Sequence, residues 1–193
     1  MPHRPRAVTL VQFSAAFIPF GALLAAALVW PETTDDLDLN RTIAAIWATT
    51  VLLDIALVIY PFRSVSQGVN NLASLFWTFA WILFLVHAYW AIFVIYHGVA
   101  DTWNEMGPLI AGTNFFLTIW WTIDVLLVWA IGRERRWLTW AHVAARVFAF
   151  IVFAATLIFL RGGSARYLGV VFAATVLLAL VSRIFASVRS TTA

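Results

Sequence analysis

Long hydrophobic runs separated by short polar stretches dominate the chain and predict its secondary structure. Six runs are long enough to cross a membrane, because a helix needs about 20 apolar residues to span roughly 30 Å of hydrocarbon. No stretch between them reaches twenty residues, which argues against a separate soluble catalytic domain. The pattern predicts an all-α, six-transmembrane-helix bundle that forms one integral membrane domain over residues 1–193. The helices are expected near residues 7–30, 42–61, 75–99, 109–131, 139–160 and 167–186.

The first run has some features of a cleaved signal peptide. It follows basic residues and contains Ala25-x-Ala27, a small-residue pattern that signal peptidases accept. Its apolar stretch exceeds twenty residues, however, and is long for a signal peptide. We therefore interpret it as a retained membrane helix.

Composition supports the membrane class and excludes several kinds of site. Hydrophobic residues make up 63% of the chain and charged residues 11%, whereas soluble domains have about 25% charged residues. Every basic residue is arginine, so no lysine can hold retinal or pyridoxal phosphate as a Schiff base. The absence of cysteine excludes disulfides, thiolate metal sites and covalent c-type haem. The sequence therefore predicts neither a metal nor a cofactor.

The arginines predict the orientation of the helices. Only Arg41, Arg161 and Arg166 flank the ends of the runs that face the acidic loops 31–41 and 100–108. By the positive-inside rule, both termini are expected in the cytoplasm, in a cell inner (plasma) membrane. Arginines beside hydrophobic runs indicate contact with lipid headgroups, so the expected partner is the lipid bilayer and not nucleic acid. The arginines on the cytoplasmic side are Arg4, Arg6, Arg63, Arg133, Arg135, Arg136, Arg183 and Arg189.

Two aspartates inside the hydrophobic runs are the main candidates for function. Asp54 and Asp124 are each followed nine residues later by an arginine, which places both carboxyl groups about two helical turns from the cytoplasmic helix ends. A charged side chain near mid-bilayer costs at least about 2.5–3.5 kcal/mol, so two at one depth indicate a role. The segments 46–63 and 116–133 also align weakly, which suggests three repeated helical hairpins.

A third charge falls in the same layer. Arg146 lies about seven residues inside the fifth run, with His142 four residues earlier on the same helical face. Because a buried carboxylate normally needs a partner, we expect Arg146 to face the bundle interior and pair with Asp54 or Asp124. The other aspartate would then lack a cation and be free to titrate. Alternatively, the Asp–Arg pair only fixes helix packing.

His87 lies near the middle of the third run. His97 is ten residues away, about 15 Å along the helix and on a different face, so the two cannot bind one metal ion. His142 differs from His87 in depth by about 13 Å, which argues against bis-histidine haem ligation. His87 is expected either to relay protons or to hydrogen-bond a threonine or carbonyl of a neighbouring helix.

These residues lead to three hypotheses about function. The preferred one is proton- or cation-linked transport or permeation of a small solute, with Asp54 and Asp124 as ion-binding or acid groups, Arg146 as their charge partner and His87 as a relay. Six short helices are few for a monomeric transporter, so a homo-oligomer or partner membrane subunits are expected. One alternative is an enzyme that acts on a lipid or isoprenoid by acid catalysis in an aromatic-lined pocket. The other is a non-catalytic subunit or assembly factor of a larger membrane complex. Whether the chain is an enzyme is left open.

Overall fold

The prediction of an all-α fold with six helices long and apolar enough to cross a membrane is confirmed. The computed structural model describes residues 7–33, 36–131 and 136–191, which are almost entirely helical and include six helices long and apolar enough to cross a bilayer. Short 3-10 turns extend α1 and α2 (Trp30–Thr33 and Tyr60–Phe62), and π-helical segments extend α3 and α5 (Trp90–Ile95 and Thr156–Leu160). The helices are α1 (Leu10–Val29), α2 (Leu37–Ile59), α3 (Gln67–Tyr89), α4 (Val99–Ala130), α5 (Arg136–Ala155) and α6 (Gly163–Thr191).

Helix α3 begins eight residues before its expected start. The Ser66 hydroxyl caps it by accepting a hydrogen bond from the Val69 N–H. The polar residues of 62–74, between the second and third predicted helices, suggest an ordinary surface loop. The structure corrects this for 67–74, which is helical, with Asn70 and Asn71 2% and 1% exposed inside the bundle. Only residues 63–66 form the connection. The helix tolerates these amides inside the bundle, where Asn71 donates a hydrogen bond to Gln12 of α1.

The expected acidic loop 100–108 is also mostly helical. Helix α4 runs from Val99, and only Gly107 departs from helical geometry, with φ 77° and ψ 156°. Glycine suits this left-handed conformation because it has no Cβ, and Pro108 then restarts the helix. The break separates a short helix, 99–106, from the long membrane-spanning part, 108–130.

Contacts between helix ends show that consecutive helices run in opposite directions, while the packed pairs α1 and α3, and α2 and α6, run in the same direction. At one end, Asn71 joins the starts of α3 and α1, and the Arg183 guanidinium donates to the Pro61 carbonyl, which joins the ends of α6 and α2. At the other end, Arg41 donates to the Leu28 carbonyl. We call the first of these the inner end and the second the outer end, after the predicted orientation. That orientation stays a prediction, and Arg4, Arg6, Arg133 and Arg135, on which it partly depends, lie outside the described residues.

The interior of the bundle is aromatic and leucine-rich, and its outer surface is apolar. Trp77, Trp121 and Phe172 are almost fully buried, while Leu10 and Leu109 are about four-fifths exposed. Exposed apolar side chains on this scale fit a surface that lipid covers, since a bilayer does not penalise them. Ten polar or charged residues are buried among the described residues, and three of them, Asp124, His142 and Arg146, contact one another. These three define the candidate site.

Candidate functional site

The carboxylate of Asp124 lies at the centre of a buried polar cluster near the inner end. Asp124 is 2% exposed on α4. Its Oδ1 is 2.5 Å from His142 Nδ1, and its Oδ2 accepts hydrogen bonds from Arg146 Nη1 at 3.1 Å and from Trp77 Nε1 at 2.8 Å. Donors from α3 and α5 thus satisfy both carboxylate oxygens, as a buried carboxylate requires.

Arg146 is held by rings as well as by hydrogen bonds. Its guanidinium lies over the rings of Tyr60 and Trp77, with Cζ 4.3 Å and 4.4 Å from the ring centroids. Its Nη1 also donates to the main-chain carbonyl of His142 at 2.8 Å. Cation–π contacts of this kind are worth about 2 kcal/mol or more when water is excluded. Arg146 is therefore fixed by α2, α3, α4 and its own helix. We refer to Tyr60, Trp77, Asp124, His142 and Arg146 as the inner polar layer.

The Tyr60 ring contacts a second guanidinium. Arg63 lies 4.1 Å from the Tyr60 centroid and also donates to the Tyr60 carbonyl at 3.2 Å. One aromatic ring thus connects the buried Arg146 with a partly exposed arginine at the inner end of α2.

A stack of aromatic rings leads from the inner polar layer towards the outer end. Ring centroids are 4.5 Å apart for Trp77 and Trp121, 5.5 Å for Trp121 and Phe84, and 6.1 Å for Phe84 and His87. The indole N–H of Trp121 has no hydrogen-bond partner among the described residues. We call Trp77, Trp121 and Phe84 the aromatic stack. It separates the inner polar layer from His87 with an apolar barrier.

His87 borders a small cavity on the outer side of the aromatic stack. Its Nδ1 lies 2.9 Å from the Thr42 carbonyl oxygen of α2, which is the expected hydrogen bond to a neighbouring helix. The cavity of about 50 Å³ can hold roughly three or four water molecules. Its lining combines apolar groups with a few polar ones: Phe84, His87, Ala88, Ala91, Ile92, Thr102, Met106, Ala111, Asn114, Phe115 and Thr118.

Asp54 has very different surroundings from Asp124. It is half-buried between α2 and α6, where its Oδ1 is 2.6 Å from the Thr175 hydroxyl oxygen. Within the described part of the chain, no ion pair forms at Asp54, whereas Asp124 is paired with Arg146. The two aspartates therefore occupy separate sites.

The structure brings together only part of the site that the sequence predicts. The pairing of Arg146 with one of the two aspartates is confirmed, and that aspartate is Asp124. Asp54 and His87 lie outside this cluster, with partners on α6 and α2 respectively. Asp124 alone pairs with Arg146, and Asp54 is the aspartate without a cation among the described residues, in a separate contact with α6.

Sequence reasoning missed the aromatic members of the inner polar layer. Trp77 and Tyr60 contribute a hydrogen-bond donor and two ring faces, and His142 binds Asp124 directly. One signal was available, because Asn70, Ser74 and Trp77 share a face of α3 and polar residues mark the side of a membrane helix that faces protein. Trp120, four residues before Asp124 on α4, packs against Phe116 and Phe148.

The hydrogen bond from Trp77 to Asp124 can be tested with a matched pair of variants. We expect W77F to lower the free energy of unfolding by about 1.5–3 kcal/mol more than W121F does, the usual worth of a hydrogen bond to a charged group. Both tryptophans are buried in the same stack, but only Trp77 donates a hydrogen bond. Equilibrium unfolding of purified protein in mixed micelles measures the difference. Equal losses in the two variants would show that the indole N–H contributes nothing.

Among residues 7–33, 36–131 and 136–191, no three His, Asp or Glu side chains lie close enough together to hold one metal ion. No protein-family model, curated protein sequence or solved structure matches this chain.

Proposed function

We propose that the protein carries out proton- or cation-linked transport or permeation of a small solute, with Asp54 as the exchangeable site. The observation that carries the proposal is the contrast between the two acids. Asp124 is ion-paired with Arg146, whose guanidinium lies over two ring faces, whereas Asp54 lies within a predicted membrane span without a cation among the described residues. A group held without a counter-charge in the membrane is suited to gaining and losing a proton or cation.

In this proposal the inner polar layer has a fixed role. Asp124 and Arg146 are linked by charge-assisted bonds, and both side chains are at most 6% exposed. Separating such a pair leaves two uncompensated charges, which makes it a poor carrier but a strong anchor between helices. Arg146 therefore acts as the charge partner of Asp124 and leaves Asp54 to titrate.

His87 and its cavity supply the outer part of the route. A volume of about 50 Å³ suits water molecules or a small ion better than a lipid chain. The small cavity volume favours proton or cation movement over lipid or isoprenoid catalysis. Catalysis of that kind stays an untested alternative. The aromatic stack lies between His87 and the inner polar layer and blocks the direct path of an ion. Transport along this path therefore requires those rings to move.

The assembly and location of the protein form part of the same proposal. Six helices with extensive exposed apolar surface fit a bundle surrounded by lipid, by further copies of the chain or by partner membrane subunits. We place the protein in the inner (plasma) membrane with both termini in the cytoplasm. The alternative of a non-catalytic subunit would be favoured if the native protein co-purifies with a fixed set of other membrane proteins and moves no ions.

Proton flux into reconstituted vesicles tests the proposal. With an imposed membrane potential and a pH-sensitive dye inside the vesicles, the native chain should conduct protons, and D54N should fall to the level of protein-free vesicles. The control is D101N, since Asp101 is exposed on the short outer helix and should be dispensable. Retained D54N flux, or no flux from the native protein under any solute gradient tried, would contradict the proposal.

A further inference from the structure

The contact between Asp54 and Thr175 contains one hydrogen, which either the threonine hydroxyl or the carboxyl group can supply. The Thr175 oxygen lies 2.6 Å from Asp54 Oδ1, 2.9 Å from the Val171 carbonyl oxygen and 3.0 Å from the Phe172 carbonyl oxygen. A hydroxyl carries one hydrogen but can accept through two lone pairs. If Thr175 donates to its own helix, the hydrogen between it and Asp54 must come from the carboxyl group.

Eight other threonines in the helices show which direction is usual in this protein. Their hydroxyls lie 2.7–2.8 Å from the carbonyl four residues earlier, where each acts as a donor. Two of them also accept a hydrogen bond from a neighbouring helix, from the indole N–H of Trp81 and of Trp129. The threonines with this geometry are Thr42, Thr49, Thr50, Thr78, Thr102, Thr113, Thr118 and Thr122.

We infer that Asp54 is a neutral carboxylic acid in this conformation, which donates its proton to Thr175 while Thr175 donates to the Val171 carbonyl. The arrangement repeats that of Trp81 and Thr122, with a carboxyl O–H in place of an indole N–H. The separation of 2.6 Å is ordinary for an O–H···O hydrogen bond. The inference deepens the proposed function by naming a proton as the ion that Asp54 holds, and its test requires no transport.

The helices packed around α2 bring no cation to Asp54 within the described residues. Helix α1 has no charged residue, and α3 with its π-helical extension has only His87, which is bonded to α2 near the outer end. On α6, Arg166 and Arg183 donate to main-chain carbonyls, of Ile158 and of Pro61, and Arg189 lies in the last turn, fourteen positions after Thr175. Arg63, at the end of the α2 extension, lies over the Tyr60 ring and donates to the Tyr60 carbonyl. An ionised Asp54 would therefore lie at membrane depth without neutralisation, which is costly.

The groove that holds Asp54 is open towards the membrane. The neighbouring apolar residues Val51, Val171 and Leu178 are 36%, 56% and 65% exposed. A carboxyl group at such a surface should react with a membrane-soluble carbodiimide, because the acid proton moves to a carbodiimide nitrogen as the carboxyl oxygen attacks the central carbon. The O-acylisourea then rearranges to a stable N-acylurea, with no atoms lost and no further reactant needed.

Infrared difference spectroscopy gives the decisive test. At neutral pH, subtracting the D54N spectrum from that of the native protein should leave the C=O band of a protonated acid, which shifts in heavy water. The matched variant D124N should remove carboxylate bands instead, because Asp124 is the ion-paired acid. T175V should keep the Asp54 acid band and shift it, since the acceptor is gone. Loss of carboxylate bands in D54N would overturn the inference.

Carbodiimide labelling with mass-spectrometric mapping gives an independent check. Dicyclohexylcarbodiimide should modify Asp54 in the native protein and in D124N, with nothing at that position in D54N. Modification of Asp124 alone would overturn the inference. The transport proposal can fail separately: an infrared band of neutral Asp54 together with unchanged D54N flux would leave the protonated acid established and its transport role disproved.

Discussion

R146M should lower the free energy of unfolding by about 3–5 kcal/mol, because removal of one partner leaves the other charge buried without compensation. Asp124 would lose a donor on Oδ2 and keep only the His142 and Trp77 contacts. The two ring faces that enclose Arg146 would also lose their cation. Equilibrium unfolding in mixed micelles, followed by circular dichroism, measures the loss.

The double variant R146M/D124N separates charge from shape. Asparagine keeps an oxygen for the Trp77 indole but carries no charge, so the double variant should recover most of the stability that R146M loses. R183M is the matched control, since Arg183 binds Pro61 and Ser64 at the inner end, where water is available. If R146M were as stable as R183M, the inner polar layer would not be a stabilising anchor.

G169A should destabilise the packing of α6 on α5 by about 1–3 kcal/mol, the usual cost of forcing extra volume into a packed interface. A Cβ at this position would lie 2.6 Å from the Leu157 Cβ and 3.2 Å from the Ile158 main-chain nitrogen. Neither atom is the end of a flexible side chain, so the helices themselves must separate. Glycine allows this close approach, as small residues do at many interfaces between membrane helices.

Gly21 provides the matched control for Gly169. It lies inside α1, and a Cβ there would have no neighbour within 4 Å. G21A should therefore leave stability unchanged or raise it by about 0.5–1 kcal/mol, since glycine is costly in a helix interior. Thermal inactivation of both variants in one detergent gives the comparison. A G169A protein as stable as G21A would contradict the close contact between α6 and the π-helical segment of α5.

The number of helices was predictable from the sequence because the ability of a segment to cross a membrane depends on its own length and hydrophobicity. A run of about 20 apolar residues must form its own hydrogen bonds, whatever its neighbours do. Helix ends were less accessible. Asn70 and Asn71 have the polarity of loop residues, yet they belong to α3 and are buried. Asn71 donates hydrogen bonds to the Ala7 carbonyl and to the Gln12 side chain. Gly107, by contrast, ends the helix 99–106 through its own backbone conformation.

The pairing of Arg146 was predictable because an unpaired charge in the membrane is so costly. The identity of its ring partners was not, since it depends on how α2 and α3 are rotated about their axes. The contact of Asp54 with Thr175 joins residues 121 positions apart, on two helices that no pattern in the chain predicts to be neighbours. Side-chain packing determines which faces of the helices contact one another, and hydropathy alone does not predict those contacts.

The balanced charges of Asp124 and Arg146 affect how the protein responds to voltage. An ion pair that moves as a unit has no net charge, so a membrane potential does no net work on it. The same potential does about 2.3 kcal/mol of work per 100 mV on each single elementary charge that crosses the full membrane. In the proposed transport, the membrane potential would therefore act on the ion that Asp54 binds and releases, and it would do no net work on the Asp124–Arg146 pair.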